Sequence, residues 1–482
     1  MKQTILNKLI PQPMQLTVQD GMHRYNANSV FVIAADLPDA KDITGKLLKQ
    51  YFQILPELRQ TVADPDIAGE DCKLTISETE IRIAAASADG LRNALKTLRQ
   101  LAEAHHDCNT VFPCVTITDS PAMTFRGIHL CAFPEVSLTE LEKNIRLAAY
   151  HKFNYAVIEF WGTFPFQSHP ELSWQDKQYD RAELQRIVEQ AEDWGITLIP
   201  QFNILGHATN SRAISGKFAT LYSNPELEHL FDPSGWCWCL SNPVTRQVLT
   251  DVVLELHDFF RNPPYFHIGC DEAEDVASCL YCKQKDFKQL FADHLNWFHT
   301  LLTERNCRLI MWHDMLVRRD DPRWEGFVAS GKHLELDGFY QELPNDILIA
   351  DWQYGIAPPD KRAAGWPVSD FFRSKGFETV MCPWDSEPDM NSMADYTRQV
   401  KNRGMLITTW HYLYGLKYTS FMLCAPYALW NPANNPGISL SGRLSLGKHL
   451  LQICHDMGLT RYEDCGYTAY QIAPERYPEP IH

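Results

Sequence analysis

From Pro121 onward the chain alternates short apolar runs with amphipathic stretches about eight times, and few folds accommodate that pattern. The runs fall near 127–131, 155–160, 197–203, 265–270, 309–312, 347–351, 379–382 and 406–409. They are short and not strictly alternating, as expected of strands buried on both faces. Two of the intervening stretches open with capping boxes, Ser137-x-x-Glu140 and Asp180-x-x-Glu183, which mark helix starts. Eight strand–helix units with linkers of this length predict an α/β chain closed into a (β/α)8 TIM barrel rather than an open sheet.

The first 120 residues read differently, as a small α+β domain, leaving 121–482 for the barrel with a C-terminal helix and tail. Segments 72–77 and 80–85 look like paired strands around a tight turn. Residues 88–104 carry Leu91, Leu95, Leu98 and Leu101 at helical spacing, and 40–55 carry Leu47, Leu48, Tyr51 and Phe52. Asp119-Ser-Pro121 forms the hinge.

Charge and cysteine content narrow the possible partners. With 44 basic and 60 acidic side chains the formal net charge is −16, which argues against nucleic acid or an anionic membrane as the main partner. No apolar run approaches membrane-spanning length, and the first residues lack a secretory h-region, so a cytoplasmic protein is expected. The fourteen cysteines fit buried thiols in a reducing compartment. Cys279-x-x-Cys282 and Cys237-x-Cys239 have the composition of a metal site. Reduced thiol pairs are the simpler reading, and no metal is expected.

A barrel carries its chemistry at the C-terminal ends of its strands. Five of the eight predicted ends bear a tryptophan: Trp161, Trp312, Trp352, Trp384 and Trp410. Indole faces beside carboxylates suit a pyranose, whose C–H groups stack while its hydroxyls hydrogen-bond. The fourth strand delivers Asp271-Glu272 to the same face. Two carboxylates in a partly dry cleft separate into a proton donor and an anion, the division that glycosidic cleavage uses. Glu159, at the end of the second strand, joins this rim, as does His207 after the third.

The run His267-Ile-Gly-Cys-Asp-Glu272 resembles the H-x-G-G-D-E signature of family-20 glycoside hydrolases, the β-N-acetylhexosaminidases, with Cys270 at the second glycine. Gly206-His207 is similar to their P-G-H segment. Leu9-Ile-Pro-Gln-Pro13, the leucine-rich run from Leu91 to Leu101, and Phe125-Arg126-Gly127 resemble the small domain and its junction. The barrel runs, among them Trp312-His-Asp-Met315, Asp351-Trp-Gln-Tyr354 and Thr409-Trp-His-Tyr412, look closest to the hexosaminidase D-like branch.

The resemblance implies a retaining exo-β-N-acetylhexosaminidase acting by substrate-assisted catalysis, with no cofactor and an amino-sugar glycoside as its partner. Glu272 would then be the acid/base, and Asp271 would orient the substrate's acetamido group. Trp312, Trp352 and Trp410 would wall that group, His207 would sit beside the acid, and Asp314 would contact a hydroxyl or the acetamido group. Glu159, Trp384 and Tyr412 complete the expected substrate-binding set. The sequence also departs from the family pattern. Pro134 stands near the expected clamping arginine, Trp161-Gly162 replaces an Asp-Asp pair, and Gln201 and Asn203 replace acids. Tyr412 replaces a glutamate. Arg126 reads as a structural ion pair at the barrel bottom. A catalytically silent carbohydrate-binding relative is the alternative these departures leave. A glycosidase with a protein nucleophile and a metal-dependent hydrolase are weaker, lacking a further acid and an H-x-H or H-x-x-x-H pair.

Overall fold

The computed structural model describes residues 2–104, 110–174, 176–209, 224–331, 338–355, 365–410 and 419–459. Its first part is a seven-stranded sheet made of β1 (Gln15–Tyr25), β2 (Val30–Ala34), β3 (Glu57–Thr61), β4 (Cys72–Ile76), β5 (Glu80–Ala85), β6 (Glu103–Ala104) and β7 (Thr110–Asp119). The strand order is β1-β7-β4-β5-β2-β3, with β6 paired to β7. The expected β4–β5 hairpin is present, antiparallel and in register from Cys72↔Ala85 to Ile76↔Ile81. Helices Ala40–Phe52 and Ala88–Leu101 lay their leucine stripes into one core with Phe31, Leu74, Ile83 and Phe112.

The second part is a closed parallel barrel of eight strands, a TIM barrel. Its strands are β8 (Phe125–Ala132), β9 (Tyr155–Phe160), β10 (Thr197–Gln201), β11 (Tyr265–His267), β12 (Arg308–Trp312), β13 (Leu348–Trp352), β14 (Thr379–Cys382) and β15 (Gly404–Thr408). Pairing of β15 with β8, Gly404↔Phe125 through Thr408↔His129, closes the ring. Each strand contributes an inward residue to a central plug: Phe125, Val157, Ile199, Tyr265, Ile310, Leu348, Val380 and Leu406. The outward residues pack beneath the surrounding helices, so both faces are dry, and β8 is buried at all eight positions.

At both predicted capping boxes the N-cap side chain caps its helix, while the N3 glutamates pair with Lys143 and Arg186. Ser137 Oγ accepts from Glu140 N–H at 3.1 Å and Asp180 Oδ1 from Glu183 N–H at 2.9 Å, starting helices Leu138–Tyr150 and Arg181–Trp194. Two strands end earlier than expected. β10 stops at Gln201, and β11 stops at His267, where Gly269 and Cys270 turn to φ of 66° and 71° and leave the extended region.

The two parts are joined by buried polar contacts. Arg126 forms the ion pair expected of it, with its partner across the junction: Nη2 lies 2.6 Å from Glu70 Oε2 and Nη1 3.2 Å from Oε1. Lys152 Nζ lies 2.7 Å from Asp119 Oδ2, and Trp430 Nε1 donates to Asp119 Oδ1 at 2.8 Å. The last helices also reach back to the N-terminal segment. Tyr427 Oη donates to Leu9 O, Asn431 Nδ2 to Pro13 O and Ser445 Oγ to Asn7 O. Among the described residues no helix is long and apolar enough to cross a membrane.

Candidate active site at the C-terminal rim

The two-residue period of a strand sets what can face the barrel interior. Glu159 shares parity with the plug residue Val157, Gln201 with Ile199, and His267 with Tyr265. Trp312, Trp352, Trp384 and Trp410 lie in phase with Ile310, Leu348, Val380 and Leu406. Above the plug the inward columns therefore run from polar groups into a ring of indoles.

Asp271 and Glu272 leave the tip of β11 into different surroundings. The Asp271 side chain is 7% exposed and the Glu272 side chain 48%. Asn203 Nδ2 donates to Asp271 Oδ1 at 3.2 Å, and His207 Nε2 lies 3.3 Å from Oδ2. His207 Nε2 also lies 3.6 Å from Glu272 Oε2. One carboxyl is buried beside Asn203 and His207 while its neighbour reaches solvent, so two adjacent acids sit in unlike surroundings.

The backbone is bent hard to achieve this. His207, Cys270, Glu272 and Trp410 all have φ between 45° and 71°, four of the eleven described non-glycine residues with positive φ. Such conformations cost roughly 1–3 kcal/mol each and cluster where geometry is over-determined by function. Two glycines permit the close approach. A Cβ on Gly269, whose φ is 66°, would fall 2.2 Å from Asn203 Oδ1, and one on Gly206 would fall 2.6 Å from Asp271 O.

The aromatic ring is built from several strands. Trp312 and Trp410 lie 5.9 Å apart, and Trp352 and Trp384 flank the Tyr354 ring at 5.1 and 5.6 Å. Trp410 Nε1 donates to Tyr354 Oη at 3.0 Å. Burial pushes the Tyr354 phenol well above its ordinary range, so it is a neutral hydroxyl at neutral pH. Tyr354 is absent from the expected binding set; its proximity to three indoles is a tertiary fact with no periodic signal. Trp236 is likewise absent from that set. It comes from the long connection after β10, donates to Glu272 O at 2.8 Å and lies 4.6 Å from the His207 ring.

Two expectations need adjusting, and a third falls outside the described residues. Glu159 does not line the rim: it is fully buried, 3.2 Å from His129 Nε2 and 3.6 Å from Cys131 Sγ, because its inward parity places it below the indoles. Asp314 is also fully buried and stands behind the rim. Its oxygens accept from Glu272 N–H at 3.0 Å and Trp352 Nε1 at 3.1 Å, which makes it a positioning residue for both rather than an open sugar contact. Burial, followed by the nearby Asp271 charge, raises its carboxyl above the ordinary range. Tyr412, with His411, lies outside the described residues.

Residues 135–386 match the family model described as "Glycosyl hydrolase family 20, catalytic domain", and residues 7–120 match "Glycosyl hydrolase family 20, domain 2". The chain is 24% identical over 354 residues to a beta-hexosaminidase of Porphyromonas gingivalis, covering 64% of this chain and 45% of that protein. It is 28% identical over 427 residues to a chitooligosaccharidolytic beta-N-acetylglucosaminidase of Bombyx mori, covering 81% and 67%. The first relatives matched are longer, and the matched stretch spans roughly half of their length. The fold is similar to a solved beta-N-acetylhexosaminidase from Bacteroides fragilis, with a TM-score of 0.71 at 17% identity over 96% of each chain.

Proposed function

Because the chain belongs to glycosyl hydrolase family 20, we propose that it is a retaining exo-β-N-acetylhexosaminidase that uses the substrate's own acetamido oxygen as nucleophile. The observation that carries this reading is the pairing of a buried, doubly contacted Asp271 with a half-exposed Glu272 inside a ring of indoles. The donors around Asp271 favour its anion, which is placed to accept the acetamido N–H and to balance the positive charge that develops on that group. Glu272 gives its proton to the glycosidic oxygen as the C1–O bond breaks and the acetamido oxygen bonds C1. The result is an oxazolinium and a free alcohol. Water then attacks C1, Glu272 takes its proton, and the amino sugar leaves with its β configuration retained. Since the nucleophile is tethered to the substrate, the protein's task is to hold it in line. Trp352, Trp384 and Trp410 wall the acetamido group, backed by Trp312, which is itself fully buried, with Tyr354 Oη available to the acetamido oxygen.

The resemblance to the hexosaminidase D-like branch and a cytoplasmic location belong to the same proposal. The twelve described cysteines are all buried and none is joined in a disulfide, which supports a reducing compartment. The test compares an aryl β-N-acetylhexosaminide with the matched hexoside bearing a free 2-hydroxyl. Turnover confined to the N-acetylated substrate, with a β-configured first product by NMR, is the expected result. Equal turnover of both substrates overturns the mechanism. Calorimetric binding of N-acetylglucosamine or N-acetylgalactosamine without any hydrolysis would instead identify a silent sugar-binding relative.

A further inference from the structure

Away from the indoles, the connections after β10 and β11 bring three thiols and one carboxylate to a single point. Cys239 Sγ lies 3.6 Å from Cys279 Sγ and 3.7 Å from Cys282 Sγ. A carboxylate oxygen of Asp232 and the three sulfurs all fall within 4.8 Å of one another, and all four side chains are buried. Those sulfur separations are far from the disulfide bond length of about 2.05 Å. They match the edge of a tetrahedron instead, since zinc–thiolate bonds of about 2.3 Å set neighbouring sulfurs about 3.8 Å apart.

We propose that Asp232, Cys239, Cys279 and Cys282 hold one tetrahedral zinc ion that pins the two loops together. Independent support comes from Asp232, which is 1% exposed: its Oδ1 accepts from Cys279 N–H at 3.1 Å, while its buried Oδ2 has no hydrogen-bond partner among the described residues. Such an oxygen is costly in a dry interior unless something positive meets it. The surroundings also suit thiolates. Cys282 N–H donates to Cys279 Sγ at 3.3 Å, and the Cys282 thiol donates to Ser241 Oγ at 3.1 Å, a hydroxyl that can turn its own proton to the sulfur once the thiol proton has left. On binding, three S–H protons pass to solvent as three S–Zn bonds form, with no change of oxidation state.

Three soft thiolates with one carboxylate fit zinc, and four protein ligands leave no open position, which makes the site structural. The sequence reading expects no metal and considers Cys237 as a partner of Cys239. Cys237 is outside the group, and Asp232 takes the fourth corner, a residue that no cysteine spacing reveals. The site bears on the rim because Trp236, between two of the ligands in sequence, donates to Glu272 O.

The experiment measures metal in untagged protein expressed with zinc and purified through metal-free buffer. About one zinc per chain is expected by mass spectrometry. Cys282→Ser should lose it and Cys237→Ser should keep it. Exchange into cobalt(II) should give thiolate-to-cobalt charge transfer and the strong visible bands of a tetrahedral ion. Folded wild-type protein that carries no zinc after dialysis against micromolar zinc overturns the proposal. So does a zinc content unchanged in both Cys279→Ser and Cys282→Ser. If the variants fail to fold, wild-type stoichiometry and the cobalt spectrum decide the question alone.

Discussion

The main-chain N–H of Glu272 donates to Asp314 Oδ2 at 3.0 Å, while Asp314 Oδ1 receives the indole N–H of Trp352 at 3.1 Å. One buried carboxyl, delivered just past β12, therefore sets the position of a rim residue on each neighbouring strand.

Asp314→Ala removes the acceptor for two donors at once. Leaving a buried donor unsatisfied costs about 1–3 kcal/mol, so a drop of that order in stability is expected together with a roughly 10–100-fold fall in kcat. Asp314→Asn keeps the shape but turns an amide N–H toward one of the two donors, and should recover part of the loss. Denaturant melts and steady-state kinetics on the same samples check both.

For the catalytic pair, Glu272→Gln and Asp271→Asn should each lower turnover of an aryl N-acetylhexosaminide by about 10²–10⁴-fold. Asp271→Asn replaces an oxygen with a similar-sized amide, so its circular dichroism and melting temperature should stay close to wild type. Wild-type rates in both variants would refute the assignment.

Gly269→Ala should damage the site without touching a proposed catalytic group. Its φ of 66° and the 2.2 Å approach of the new Cβ to Asn203 Oδ1 force Asn203 away from Asp271. Asn203→Ala removes the same hydrogen bond together with the one its Oδ1 accepts from Gln201 Nε2 at 3.1 Å, and a loss of about 1 kcal/mol at Asp271 corresponds to a several-fold fall in kcat. Gly269→Ala should show that loss plus a lower melting temperature.

Acid should destabilise the fold through its buried histidines. His294 Nε2–H donates to Ile204 O at 2.8 Å, and burial pushes its pKa down to about 4. Burial, then the charges of Arg99 and Lys448, takes His449 to about 3, where it meets His151 across 3.0 Å. A folded pKa below the unfolded value of about 6.5 means that the unfolded chain gains the proton first. Stability present above pH 6.5 is therefore lost as pH falls toward 4, by on the order of 1 kcal/mol per pH unit for each such group. His294→Gln keeps a donor for Ile204 O and should flatten the pH dependence of the denaturation midpoint by about one proton relative to wild type.

The barrel was legible because strands buried on both faces appear as apolar runs, and seven of the eight expected spans lie within two residues of the strands observed. β11 is the exception, for a physical reason. Cys270 carries a side chain into a left-handed conformation, and nothing in its identity announces that turn. The small sheet was less readable. Strands such as Gln15–Tyr25 and Glu57–Thr61 are largely exposed, so their residues lack the contrast that periodicity needs. At the rim, Asp271, Glu272 and the tryptophans could be found from strand-end position. The inward depth of Glu159, the retreat of Asp314 and the arrival of Tyr354 and Trp236 depend on contacts between separate strands and loops.

The bonds from Tyr427 to Leu9 and from Asn431 to Pro13 each span 418 positions. The opening segment finds its first partners nearby, Ile10 with Gln100 and Lys8 with Glu103, whereas its bonds to the last described helices wait until those helices have emerged. The seam between residues 7–13 and residues 427–445 is therefore a late event in folding, and cutting into those helices would remove three of the bonds that hold residues 7–13.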